Sequence, residues 1–190
     1  MNKLIYLALA GVVVAQLQGC AAAVVGGAAV GTSVVLDRRT TGVYVSDQEI
    51  ELQAMDRLGK AYPSASNSIS ATSYNKQVLL TGQVQDEATR SDAASRAKAI
   101  PDVRTVFNEL SVGPVSSFST DANDTAITSN VKARLLGRDK VPSSTMKVVT
   151  ESGVVYLMGL VTPAEAKEAT DIASSSTGVT KVVTLFEIIN

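Results

Sequence analysis

The amino-acid sequence predicts an α+β fold: two tandem small αββαβ domains, each a mixed three-stranded sheet packed by two helices, behind an N-terminal tether. Three observations predict it. First, a shift of 77 residues lays one part of the chain on the other without a gap. Asp47, Ile50, Ala54, Arg57 and Leu58 fall on Asp124, Ile127, Val131, Arg134 and Leu135; Ile69, Val78, Leu80, Gly82 and Val84 fall on Met146, Val155, Leu157, Gly159 and Val161. After a one-residue slip, Val103 and Val106 match Val179 and Val182. Second, each copy opens on a helical period, with Ile50, Ala54 and Leu58 at i, i+4 and i+8. Third, apolar β-branched runs follow, split by turn residues.

Each copy divides the same way. The first helix of the second copy is capped by Asp124 or Thr125, and Gly137 stands where it should end. A strand follows (69–73; 146–150), then a turn at Asn75-Lys76 or Ser152-Gly153, then a second strand (77–84; 154–161). The β-branched run of that strand points to one buried face. Gly82 and Gly159 inside it predict a bulge or a close backbone approach. A second helix begins near Asp86 or near Pro163, where Pro suits the first turn. Ala93, Ala97 and Ala173 let it pack closely on a sheet. A last strand (103–112; 179–189) closes each unit, and the turn-rich residues 113–123 link the units. The predicted domains are therefore 46–112 and 124–190.

The front of the chain is different. Lys3 precedes an uninterrupted apolar run, 4–15, of signal-peptide length. That run is short for a membrane span, which needs about 20 residues. Leu17-Gln18-Gly19-Cys20 follows and resembles the bacterial lipobox. The resemblance implies removal of residues 1–19 and a triacylated Cys20. The competing reading is a buried Cys acting as a small hydrophobe. The chain's one Cys stands where lipidation needs it. Several acyl chains anchor stably, whereas one does not. Ala21 and Ala22 follow with no Asp after the Cys, which favours the outer membrane over inner-membrane retention. Residues 20–45 then form a lipidated tether, its first part (21–36) apolar and uncharged, with Gly27 and Gly31 in a GxxxG. A flexible tether and a short membrane-surface helix are both readings of that stretch.

Composition removes several functions. The 190 residues contain no His and no Trp, so there is no Ser-His-Asp triad and no imidazole metal site. One Cys makes neither an internal disulfide nor a thiolate zinc site. With Lys plus Arg at 17 and Asp plus Glu at 18, no nucleic-acid partner is expected. Gly26-Gly27 and Gly31 lack the following Gly-Lys-Ser/Thr of a phosphate loop. Glu165 and Glu168 read as solvated helix surface, and the serines at 143–144 and 174–176 have no base beside them. No enzyme activity, metal or cofactor is expected.

The repeat resembles the BON domain, a bacterial periplasmic module marked by an Asp-led helix, V-x-V-x-x-x-x-G-x-V-x-L-x-G-x-V, a helix and G-V-x-x-V. The second copy reads MKVVTESGVVYLMGLVTPAEA and then TGVTKVV; the first reads SATSYNKQVLLTGQVQDEA and then IPDVRTVF, with Lys76 or Gln77 at the turn Gly. A lipobox, a tether ending in DRRTTG (37–42) and two BON units together resemble the dual-BON outer-membrane lipoproteins. The resemblance implies phospholipid binding, support of outer-membrane integrity, gathering at division sites and no enzymatic activity. It places the chain on the outer membrane, facing the periplasm.

Charge points to the second unit as the lipid-binding one. Residues 47–60 carry Asp47, Glu49, Glu51 and Asp56 against Arg57 and Lys60, net −2; residues 124–138 carry Asp124 against Lys132, Arg134 and Arg138, net +2. Each Lys or Arg near an anionic bilayer contributes about 1 kcal/mol. With Ile127, Val131 and Leu135 as the core stripe, Leu136 falls on the outer face with Lys132 one turn back. An exposed Leu beside a Lys suits an interface, while a lone exposed Leu is also ordinary. The family commonly reads D-T-W-x-T where this chain has Asp124-Thr125-Ala126-Ile127-Thr128, so Ala126 lacks the amphipathic ring. The candidate anionic-phospholipid site is Ala126, Lys132, Arg134, Leu136 and Arg138. Arg134 also has a fold reading, because Arg57 is its repeat partner. The alternative function is an adaptor that docks outer-membrane assembly proteins or cell-wall machinery through the BON surfaces, the short sheet edges and the linker.

Overall fold

A computed structural model describes residues 37–62, 66–138, 141 and 143–190. The signal peptide, Cys20, Gly27, Gly31 and the tether through residue 36 lie outside the described residues.

The first domain opens with α1 (Thr41–Ala61), capped by the Thr40 hydroxyl, which accepts from the Val43 amide. The helix thus starts ahead of the expected position. Asp47, which leads the repeat in sequence, lies inside α1 and is fully buried. β1 (Ser68–Tyr74) and β2 (Gln77–Val84) form an antiparallel hairpin. Its turn residues Asn75 and Lys76 both have positive φ, as a two-residue hairpin turn requires. α2 (Glu87–Lys98), capped by Asp86, crosses to β3 (Thr105–Asn108) and β4 (Ser111–Val112), both parallel to β2. The single closing strand expected here is therefore broken. Leu110 turns into the core at the break and is 3% exposed.

The second domain repeats the plan. α3 (Phe118–Leu136) is capped by Ser117, so half of the expected linker is the first turns of this helix and Asp124 is no cap. A 3₁₀ turn (Ser143–Thr145) leads to β5 (Lys147–Glu151), antiparallel to β6 (Val154–Val161). Ser152 and Gly153 make the turn with positive φ. α4 (Pro163–Ser174) starts with a Thr162–Glu165 capping box, and β7 (Lys181–Ile188) pairs with β6 over eight residues without a break.

The two helices of each unit cover one face of its sheet. Ile50, Ala54, Leu58, Val78, Leu80 and Val84 fill the first core; Ile127, Val131, Leu135, Val155, Leu157 and Val161 fill the second. The opposite faces are also buried, which corrects the expectation of one buried face. Tyr74 and Leu79 meet Tyr156 and Met158 in a third core between the sheets, with Phe107, Leu160, Val183 and Leu185 packed around them. The near-continuous apolar runs of β2 and β6 reflect this two-sided burial. The contacts repeat under the 77-residue shift. The Leu160 amide donates to the Tyr74 hydroxyl at 3.4 Å, and Gln83 Nε2 donates to Glu151 Oε1 at 2.6 Å. Residues 74 and 83 shift to 151 and 160, so these are one contact seen from its two sides. That reciprocity is the mark of an isologous pairing. No helix among the described residues is long and apolar enough to cross a membrane.

Candidate functional site on the outer face of α3

The apolar stripe Ile127, Val131 and Leu135 fixes which way α3 faces. The helical period then turns Ala126, Ser129, Lys132, Ala133 and Leu136 outward, all exposed. Leu136 is 67% exposed at the last helical position, with Lys132 one turn behind it and Arg138 two residues beyond, also exposed. Lys132 makes no ion pair with any described residue. The C-terminal end of α3 therefore presents one large apolar side chain among cationic heads. Such a face can lay carbon toward acyl chains and charge toward phosphate.

Arg134 is not part of that face. Its guanidinium donates to the Ile172 carbonyl at 3.0 Å, to Ser176 Oγ at 2.6 Å and to Ser175 Oγ at 3.0 Å, all at the end of α4. Arg57 does the same in the first domain, donating to the Ala99 carbonyl at the end of α2. Both arginines tie the first helix of a unit to the C-terminus of its second helix, where unpaired carbonyls favour a cation. Arg134 thus has the task in the fold that its repeat partner Arg57 suggested.

Asp47 and Asp124 share a second structural task. Asp124 accepts from the Ser152 and Gly153 amides at 2.6 and 2.9 Å, and so holds the hairpin turn to α3. Asp47 accepts from the Asn75 and Lys76 amides, both at 2.7 Å, and from Ser73 Oγ. It also pairs with Arg39 at 2.8 Å. Residues 37–39 escaped the sequence reading, which placed them in the tether. Arg39 is buried, clamped by Asp37 and Asp47, and stacks over the Tyr74 ring at 4.0 Å and the Tyr44 ring at 5.1 Å. Arg38 reaches the second domain, forking onto Glu165 with two 2.7 Å bonds and donating to the Leu160 carbonyl. The available signal was a charged triplet closing an otherwise uncharged stretch.

The seams beside α1 and α3 differ. Glu51 on α1 pairs with Lys147 on β5 at 2.6 Å and closes the first. The equivalent positions are Thr128 on α3 and Ser70 on β1, which carry no charge. A groove of about 550 Å³ opens there, lined by Ser68, Ser70, Thr125, Thr128, Lys132 and Glu151 among others. Burial raises the Glu151 carboxyl above its ordinary range, and Asp124 and Asp121 add to the rise against the Gln83 hydrogen bond. Across the inter-sheet core, burial beside Glu109 and Glu151 pushes the Tyr156 hydroxyl up to about 12. Among the described residues no group of three or more His, Cys, Asp or Glu side chains is placed to hold a metal ion.

Comparison with known proteins gives a consistent picture. The BON domain family matches residues 46–114 and 123–190. The chain is 39% identical over 175 residues to outer membrane lipoprotein DolP of Haemophilus influenzae, covering 92% of this chain and 91% of that protein. It is 34% identical over 155 residues to osmotically-inducible protein Y of Escherichia coli, covering 80% and 77%. It is 32% identical over 149 residues to a 21 kDa hemolysin of Actinobacillus pleuropneumoniae, covering 78% and 77%.

Proposed function

The chain belongs to the BON-domain family, and on that premise we propose that it is a lipid-anchored outer-membrane protein, facing the periplasm, whose second domain binds anionic phospholipid through the outer face of α3. Cys20 carries the anchor. Lys132 and Arg138 meet the phosphates, Leu136 enters the acyl boundary, and Ala126 lies on the same face without an aromatic ring. The protein acts by binding and not by catalysis, supports outer-membrane integrity and gathers at division sites. The observation that carries the reading is the exposed Leu136 between two exposed cations, Lys132 and Arg138, at a helix end. The lipoprotein name of the Haemophilus influenzae relative supports the location.

Vesicle binding of the fragment 37–190 tests it. The fragment begins at Asp37 because Arg38 and Arg39 belong to the folded body. Vesicles rich in anionic lipid should bind, and neutral ones should not. Lys132→Glu with Leu136→Asp reverses one charge, adds a second carboxylate and removes the apolar contact, so affinity should fall at least tenfold, at about 1 kcal/mol per charge step. Ala126→Trp should strengthen binding several-fold. Equal binding to neutral vesicles, or no change in the double variant, refutes the site.

A further inference from the structure

We propose that the outer face of α1 is a docking surface for a basic amphipathic helix of another protein. Val45, Leu52 and Met55 are 59%, 70% and 62% exposed. With Gln48 and Gly59 they fall at i, i+3, i+7, i+10 and i+14, the spacing of a seam that packs against a second helix. Scattered exposed leucines are ordinary, but three large apolar side chains in one seam form a patch. Beside the end of the seam a cavity of about 380 Å³ opens between Met55, Gly59, Tyr62, Ile69 and Val115. It offers a socket for one large side chain of the partner. A Cβ built on Gly59 meets nothing within 4 Å, so the seam is open at this point.

The fold does not demand this face. The positions equivalent to Leu52, Met55 and Glu49 are Ser129, Lys132 and Ala126, and α3 packs its core as well as α1 does. The apolar seam is therefore a property of the first domain's surface alone.

Charge selects the occupant. Glu49 and Asp56 lie seven residues apart along one flank of the seam, at matching heptad positions. Among the described residues Asp56 pairs with Lys60 in an exposed i,i+4 contact, a bond worth little and easily exchanged. On the other flank Glu51 is committed to Lys147. A second copy of the chain would set acidic flank against acidic flank. An anionic bilayer would be repelled in the same way. A helix with apolar residues at its own seam and Lys or Arg beside them satisfies both the seam and the exposed carboxylates Glu49 and Asp56, whose present partners Gln53 and Lys60 are neighbours on the same helix.

The test uses the full lipidated chain in cells, with a photo-crosslinking side chain at Leu52 or at Met55 in separate variants. The captured segment is then identified by mass spectrometry. Both positions should capture one segment with helical apolar periodicity and net positive charge. Adding Glu49→Lys with Asp56→Lys should cut the yield at least tenfold while the melting temperature stays unchanged. Lys132→Glu with Leu136→Asp should leave the yield intact, so a failure of the lipid reading is seen separately. Capture of a second copy, of lipid or of a neutral or acidic segment overturns the proposal. So does no capture at either position, or a yield indifferent to the charge reversal.

Discussion

α1 and α3 hold equivalent places in the two domains and turn opposite chemistry outward. Toward the core they agree: Ile50, Ala54 and Leu58 stand where Ile127, Val131 and Leu135 stand, all buried. Asp47 and Asp124 both hold a hairpin turn, and Arg57 and Arg134 both hold the end of the second helix. Outward they part. α1 shows Val45, Leu52 and Met55 beside carboxylates, while α3 shows Ala126, Ser129 and Lys132 ending in Leu136. A duplicated unit keeps the residues that its own packing requires. The outer face of its first helix is under no such packing demand and differs between the copies.

The inner agreement is uneven, and the largest difference lies at the strand glycines. Gly82 has φ +117, and a Cβ there would stand 1.9 Å from the Ser68 carbonyl oxygen in the neighbouring strand. Gly159 has an ordinary φ, and its Cβ would meet Met146 Cγ at 3.2 Å, a flexible side chain. Gly82→Ala is expected to cost about 4 kcal/mol or more, because strained backbone and a backbone collision add. Gly159→Ala is expected to cost about 1 kcal/mol. Urea unfolding of fragment 37–190 checks both, and equal losses would break the distinction.

A smaller difference separates the two buried aspartates. Asp124→Ala removes the acceptor of two turn amides, a loss of about 2 kcal/mol. Asp47→Ala removes the same service and also takes one of the two carboxylates that hold the buried Arg39, leaving Asp37 as the other, so about 3 kcal/mol is expected. Adding Arg39→Met to Asp47→Ala should deepen that loss, since the buried Asp37 carboxylate then loses its cation as well. If Asp47→Ala costs no more than Asp124→Ala, the Arg39 cluster adds nothing to the first domain.

These pairs also show what was legible in the sequence. The hairpin strands were, because Asn75-Lys76 and Ser152-Gly153 are turn residues whose positive φ values end one strand and begin the next, whereas the closing strand expected over 103–112 is two short strands. The starts of α1 and α3 were not. An Asp ahead of an apolar period reads as a cap, yet Asp47 and Asp124 lie a turn or more inside, behind Thr40 and Ser117. The sheet-to-sheet core was hidden for a similar reason. A run such as that of β2 is compatible with one or two buried faces, and only the partner sheet decides. At the candidate site, the exposure of Lys132 and Leu136 followed from helical period. The engagement of Arg134 depended on where α4 ends, which local pattern does not specify.

The weakest contrast is at the starts of the second helices, and pH resolves it. Asp86 caps α2 from an exposed position, accepting from the Thr89 amide. Glu165 at the start of α4 accepts from the Thr162 amide and also receives both arms of Arg38. The Arg38 bonds, aided by the Thr162 groups, hold its carboxyl down at about 2, against an ordinary value of 4.5. A carboxyl held low in the fold adds stability above its ordinary value and loses it as pH falls toward the folded value. Glu165→Gln should therefore cost about 1–2 kcal/mol at neutral pH. The gap from the unaltered protein should close as pH drops from about 4.5 to about 2. Asp86→Asn should cost only a few tenths of a kcal/mol at neutral pH, because Asn caps nearly as well as Asp. Melting temperatures of the three proteins across that range decide it. A Glu165→Gln gap unchanged by acid would mean that Arg38 does not hold the second domain through this carboxylate.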